Sequence, residues 1–196
     1  MCGFPGTGKT TIAQQIHQVL NGTSVIIHRD SLRDLHLGKG FFYPDNNLHD
    51  AELKKIDSEF LEQAEKKLRE YDTIILDAGF RNYSKRKAVY HIAHKHSCEV
   101  IVIHCTCNQE IAYQRLKNQI DRGEKCFALP VTWVIKYFFY DFDEPTKKSE
   151  PAAATIIRIE TEQNQVTTLV PEENLSDFAK QLIQILESAS LDKTSK

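Results

Sequence analysis

Gly3-Phe4-Pro5-Gly6-Thr7-Gly8-Lys9-Thr10-Thr11 is the stretch from which the rest of the chain can be read. A glycine, four residues, then glycine, lysine and a hydroxyl is the P-loop pattern. A phosphate chain needs several backbone N–H groups turned inward around it. Gly3, Gly6 and Gly8 permit the positive φ angles and the close approach that this demands. A helix opening after Gly8 would add its unpaired N–H groups and positive dipole end at the same point. Lys9 is then placed to reach the β and γ phosphates and Thr10 to ligate Mg2+, with Pro5, Thr7 and Thr11 completing the nucleotide-binding set. ATP and Mg2+ are the expected cofactors. The context agrees, because Ile12, Ile16, Val19 and Leu20 follow at helical spacing and Asn21-Gly22 supplies the stop.

On the amino-terminal side the pattern is abrupt. A P-loop ordinarily follows a buried strand of about five apolar residues, yet only Met1 and Cys2 precede Gly3. A truncated first strand is therefore expected, with codons for a short apolar stretch lying ahead of Met1.

On the other side, Ser24 to His28 reads as a buried strand, with Arg29-Asp30-Ser31-Leu32-Arg33 leaving its carboxyl end. Gly38 to Asn47 reads as a loop carrying Phe41-Phe42-Tyr43-Pro44. Leu53, Ile56, Phe60, Ala64 and Leu68 make one stripe of a long helix from Asp50 to Glu70. Thr73 to Leu76 is the next strand, ending at Asp77-Ala78-Gly79, followed by a helix from Ser84 to His96 and a strand from Glu99 to His104. Thr106 and Gln109 stand where a capping box would open a helix closed by Arg122-Gly123. Pro130 to Phe142 reads as an apolar helix ended by Pro145, Thr155 to Glu160 as a last strand, and Asn174 to Ser188 as a last helix. Strands alternating with helices imply an α/β chain, a three-layer P-loop NTPase fold with a parallel sheet and a ligand crevice at the carboxyl ends of the strands. One domain over 1–188 and a disordered polar tail over 189–196 are expected.

Composition fits that outline. At 196 residues and 41% hydrophobic content the chain can bury a real core. A net charge of -2 gives no global attraction to nucleic acid, so such a partner would need a local basic patch. Five cysteines without paired CxxC spacing suggest a reducing compartment, and no long apolar run is present. A soluble cytoplasmic protein is the expectation, of unknown oligomeric state. Neither His91-His94-His96-Cys98 nor His104-Cys105-Cys107 has zinc-site spacing, so no structural metal is expected.

What is done with the nucleotide follows from the other strand ends. No Asn-Lys-x-Asp segment marks a GTPase, and Leu76-Asp77-Ala78-Gly79 lacks the second carboxylate that a motor ATPase uses to polarise water. Transfer to a bound hydroxyl needs instead a carboxylate at the acceptor and cations over the phosphates. Asp30 is the candidate base, and Arg33, one helical turn on, a candidate contact to an anionic acceptor. Arg115 and Arg122, two turns apart on one helix face, are candidates to fold over the nucleotide.

These motifs resemble the P-loop kinases related to polynucleotide 5'-hydroxyl kinase, a group that includes tRNA-directed and zeta-toxin-like kinases and carries an AAA-type ATP-binding domain. The resemblance spans roughly residues 1 to 145. It implies a γ-phosphoryl transferase in which Asp30 is the general base, Arg33 meets the acceptor's phosphate, Arg122 is the lid arginine, and Asp77 lies near the metal. A nucleic-acid or nucleotide hydroxyl is the expected acceptor, with Arg81, Lys85, Arg86 and Lys87 as a basic tract and Phe80, Tyr83 and the Phe41-Phe42-Tyr43 loop as stacking faces. A small-metabolite kinase and a nucleotide-dependent regulatory module are the alternatives.

Overall fold

The computed structural model describes residues 1–39, 50–124, 130–140 and 142–191. Helix α1 (Lys9–Val19) leaves the P-loop and leads to β1 (Ser24–His28), α2 (Arg29–Leu37), α3 (Asp50–Lys67) and β2 (Thr73–Asp77). Then come α4 (Tyr83–Lys95), β3 (Val100–Thr106), α5 (Gln109–Asp121), α6 (Val131–Tyr140), β4 (Ala154–Glu160), β5 (Gln165–Thr168) and α7 (Asp177–Leu191). The Phe41–Pro44 loop lies outside the described residues.

The alternating apolar runs produce three layers. Ala13 and Ile16 of α1 and Leu182, Ile185 and Leu186 of α7 cover one sheet face through Ile75, Ile103, Cys105, Ile157 and Ile159. On the other face the expected stripe of α3, Ile56, Phe60 and Ala64, buries Ile27 and packs on Ile74 and Leu76. Tyr90 of α4 joins Cys2, Val102 and Ile156 beside it.

Strands β1 and β2 run parallel from Ser24↔Thr73 to His28↔Asp77, and β3 and β4 run parallel from Val100↔Ala154 to Thr106↔Glu160. The expected first strand is reduced to Met1–Gly3, which joins the two halves. Met1 N donates to Leu76 O at 2.7 Å. Cys2 N donates to Ile103 O and Cys105 N to Cys2 O, both at 2.8 Å, and Gly3 N reaches Gly79 O at 3.2 Å.

Four local expectations need correction. The sheet is not wholly parallel, because β5 returns antiparallel to β4 after a turn in which Asn164 takes φ 53°. With Val166 as its one large apolar side chain, this edge strand carries too little hydrophobic pattern to be read. Helix α5 is capped by Asn108, whose side chain accepts from Glu110 N, while the Thr106 hydroxyl donates across the sheet edge to Ile159 O. Helix α6 stops at Tyr140, five residues before Pro145. Helix α7 continues to Leu191, and residues 192–196 lie outside the described residues.

Candidate active site

The cradle forms because the backbone of residues 3–8 packs too closely for side chains. At Gly3, φ +139°, a Cβ would sit 2.3 Å from Cys105 O, and at Gly6, φ +83°, 2.5 Å from Ala112 O. Thr7 is fully buried and its hydroxyl donates to Phe4 O at 2.8 Å, which closes the loop from inside. Gly8 ends the loop in the left-handed region with no side chain capping α1, so the first N–H groups of that helix stay available to an anion. Lys9 Nζ donates to Phe4 O at 2.6 Å, across the cradle mouth. Pro5 lies within the loop, and Thr11 is exposed on the first turn of α1.

Three elements meet at Asp77. Its Oδ2 accepts from the Thr10 hydroxyl at 2.8 Å and lies 2.9 Å from His28 Nδ1. Asp77 is buried, whereas the His28 side chain is about one third exposed. The P-loop helix and the carboxyl ends of β1 and β2 are thereby drawn to one point. Thr10 and Asp77 offer hard oxygen donors side by side, the set that suits a Mg2+ shared with a nucleotide. Among the described residues no group of three His, Cys, Asp or Glu side chains is placed to hold an ion by protein alone. Sequence reasoning missed His28. Its position as the last residue of β1 was the available signal, because strand ends face the crevice.

Asp30 lies two residues beyond His28, on the first turn of α2, with its side chain 60% exposed. Arg33 does not reach outward. Its Nη1 donates to Asp30 Oδ1 at 3.0 Å and its Nη2 to Asp34 Oδ1 at 2.8 Å, and the side chain is only 15% exposed. The i, i+3 spacing that suggested an acceptor contact instead closes a pair within α2. Arg29 is tied to α3, Nε donating to Asp57 Oδ1 at 2.5 Å, while Lys85 Nζ at the start of α4 donates to Asp57 Oδ2 at 2.8 Å. Burial pushes the Asp57 carboxyl up, but Arg29 and Lys85 outweigh it and hold the group below the usual carboxylate range.

The two arginines of α5 are separated in role. Arg115 folds onto the P-loop, Nη1 reaching Thr161 Oγ1 at 2.8 Å and Gly6 O at 3.4 Å, and Nη2 reaching Thr161 O at 3.1 Å. Arg122 caps the far end of the helix and is 62% exposed, with Nε 2.7 Å from Glu124 Oε1.

Most of the expected basic tract is engaged by neighbouring groups. Arg86, 3% exposed, is paired with Glu150 at 2.6 Å, Lys85 is held by Asp57, and the Arg81 guanidinium lies 5.6 Å from the Phe138 ring centroid. Of the four cations Lys87 alone is classed as exposed. Burial raises the thiol of Cys2 and pushes that of Cys105 up to about 12, so neither is a nucleophile.

A phosphate cradle, a buried aspartate beside its threonine and a carboxylate at the next strand end define a P-loop nucleotide-binding protein of the kinase-like fold. Residues 1–133 match the AAA domain family, and the chain belongs to that family. A candidate kinase from Chloroflexus aurantiacus superposes with a TM-score of 0.60 at 16% identity, covering 97% of this chain and 94% of that one. The APS kinase of Mycobacterium tuberculosis, solved with AMPPNP and APS, gives 0.55 at 15% identity over 95% and 94%. A gluconokinase from Sinorhizobium meliloti gives 0.51 at 12% identity over 98% and 93%. No curated protein matches the chain. No described helix is long and apolar enough to cross a membrane.

Proposed function

We propose that this protein is a phosphotransferase that moves the γ-phosphoryl of a Mg2+-bound nucleoside triphosphate to a hydroxyl on a small metabolite. The observation that carries the reading is the Thr10–Asp77–His28 chain at 2.8 and 2.9 Å, which ties the donor cradle to the strand end bearing Asp30. In the proposed step the acceptor oxygen forms a bond to the γ-phosphorus as the bond to the β–γ bridging oxygen breaks. The hydroxyl proton passes to Asp30, and the nucleoside diphosphate leaves. Thr10 and Asp77 would hold Mg2+, which would supply positive charge to offset that of the phosphates. Lys9 neutralises the β and γ oxygens, and Arg33 holds the Asp30 carboxylate within its turn.

A small acceptor is favoured because three of the four cations that would have followed a polynucleotide backbone are engaged within the fold, Lys85 by Asp57, Arg86 by Glu150 and Arg81 by the Phe138 ring. The names of two solved relatives, an APS kinase and a gluconokinase, are in keeping with that choice. A nucleic-acid end is the second reading, supported by α6, where Trp133 and Tyr140 are 65% and 78% exposed and share one face with Lys136.

The test is transfer of labelled γ-phosphate from ATP to pooled hydroxyl metabolites and, separately, to 5'-hydroxyl oligonucleotides. A phosphorylated metabolite is expected, with Asp30→Asn lowering transfer by about 10^2 to 10^4 while nucleotide affinity barely changes. A labelled oligonucleotide would select the second reading. Hydrolysis without any phosphorylated product, or full turnover by Asp30→Asn, would overturn phosphoryl transfer through Asp30.

A further inference from the structure

The chain bends sharply after β2. Phe80 takes φ 40°, a left-handed conformation that a bulky side chain rarely adopts. Its ring packs on the Ile27, Ile56 and Phe60 core, 6.1 Å from the Phe60 centroid, and Arg81 follows with its guanidinium 5.6 Å from the centroid of the Phe138 ring on α6. The bend is held on both sides. Arg86 Nη1 donates to Phe80 O at 3.0 Å and to Asp143 O at 2.8 Å, while Asp143 N donates to Arg81 O at 2.7 Å and Asp143 Oδ2 accepts from Tyr83 N at 3.0 Å. A strained backbone persists only where its surroundings over-determine it, and such residues gather at ligand clamps. The buried Arg86–Glu150 pair thus fixes where Arg81 leaves the chain.

That place is the crevice at the strand ends. Gly79 lies two residues past Asp77, and its carbonyl accepts from the N–H of Gly3, the first glycine of the cradle, at 3.2 Å. The edge of the Phe138 ring is 3.8 Å from where a Cβ on Gly79 would stand. The ring beneath Arg81 therefore stands beside the junction of the P-loop and β2. Arg33, the cation expected at the acceptor, is closed onto Asp30 and Asp34, while Lys85 and Arg86 are paired with Asp57 and Glu150. The contact of Arg81 with Phe138 is of another kind. A guanidinium laid over a ring keeps its charge and uses none of its N–H donors in that contact, and the ring fixes the plane of the fork.

We propose that Arg81, seated on Phe138, is the specificity-determining cation of the acceptor site and takes the oxyanion of a small hydroxyl metabolite, a carboxylate or a phosphate ester, in a two-pronged contact. The proposal rests on the reading of this crevice as the acceptor site for phosphoryl transfer and adds to it the charge that the acceptor carries. Neutral sugars and polyols lack the group that Arg81 recognises. The oxyanion is a handle remote from the reacting hydroxyl, so the contact is made alike in the ground state and the transition state and is expressed as acceptor affinity.

The test is a titration of the chain saturated with ADP and Mg2+, so that the cradle is filled, with three pools of small hydroxyl metabolites: neutral, carboxylate-bearing and phosphate-bearing. The arginine Nε–H signals are followed by NMR, that of Arg81 being assigned by its loss in Arg81→Ala. A saturable shift of the Arg81 signal is expected with at least one anionic pool and not with the neutral pool, and the pool that acts separates carboxylate from phosphate. Arg81→Ala should weaken that binding at least about tenfold, and Arg81→Lys by roughly threefold, since lysine keeps the charge and loses the fork. Should Arg81→Ala not fold, Phe138→Leu, which keeps the guanidinium and removes its seat, is expected to weaken the same binding, and the shift in the unaltered chain is read as before. An Arg81 signal that ignores both anionic pools, a neutral pool that shifts it equally, or anion binding undiminished in the variants overturns the proposal. Binding is read without turnover, so a failure to find any phosphorylated product counts against the transfer reading and leaves these outcomes to be judged by themselves.

Discussion

Lys9 and His104 show how much one side chain can decide. Lys9 Nζ reaches the Phe4 carbonyl, 2.6 Å away across the cradle mouth, and a bound phosphate chain would draw it off that contact. Lys9→Ala should therefore damage binding and turnover together, seen as a weaker nucleotide affinity by calorimetry and a lower kcat/KM in the transfer assay. His104, 2% exposed, stacks on Phe142 with ring centroids 5.5 Å apart, and neither ring nitrogen has a hydrogen-bond partner. Glu144 stands 3.7 Å from Nδ1, too far for a hydrogen bond, and is itself half exposed. Burial first, then Arg158 and Arg86, hold the His104 pKa down to about 4. The folded chain keeps this ring neutral while the unfolded chain protonates it near pH 6.5, so acid favours unfolding. Stability from this group is fully present above pH 6.5 and is lost as pH falls toward 4. Urea unfolding should show a loss of about 2 kcal/mol between pH 7 and pH 5, and His104→Leu should flatten that slope.

At the scale of elements, ion pairs inside the fold fix how helices meet the site. Arg86 and Glu150, 3% and 1% exposed, pair at 2.6 Å, and Arg86 Nη1 also donates to Asp143 O and Phe80 O. The Tyr90 hydroxyl donates to the second oxygen of Glu150. The cluster binds α4 to the extended segment 142–150 that links α6 to β4. Glu150→Ala removes the close carboxylate partner of a buried guanidinium, leaving Asp143 at 3.7 Å, and should cost about 3 kcal/mol in denaturant unfolding. The double replacement Arg86→Met with Glu150→Leu should recover most of that loss, because removing both charges also removes their desolvation cost. Most elements were legible, since α3 carries a clear apolar stripe and β3 and β4 are long apolar runs. Strand β5 was not, because a short polar edge strand is specified by its neighbour rather than by its own pattern. Nor was the fate of the basic tract. Arg81, Lys85 and Arg86 look alike in sequence, and only the packing of α4 against α3 and segment 142–150 assigns each a partner.

For the whole molecule, the two halves of the sheet are joined through residues 1–3, and the proposed reaction would take place where they meet. The P-loop follows that stitch, Asp30 belongs to the β1–β2 half, and α5 packs its Arg115 against the Gly6 carbonyl and the Thr161 turn of the other half. Arg122 lies two turns further along α5, at the exposed end. Under the proposed reaction its charge is needed most when negative charge spreads over the transferring phosphoryl oxygens. Arg122→Ala should therefore lower kcat more than it raises KM in steady-state transfer kinetics. Equal effects on both would mark it as a ground-state contact.

Residues 3–11 determined the phosphate cradle on their own, because a run of backbone N–H groups around an anion needs only local φ angles that glycine supplies. The strand-end positions of Asp30 and Asp77 were likewise readable, since alternating strands and helices put strand ends on one edge. Which side chains meet there was settled by the tertiary structure. His28 with Asp77, Arg33 with Asp30 and Asp34, and Arg86 with Glu150 all join segments or orientations that no periodicity encodes. The reason is physical. Local conformation depends on near neighbours along the chain, whereas the partner of a charge or a strand edge depends on whatever the folded chain brings within about 3 Å of it.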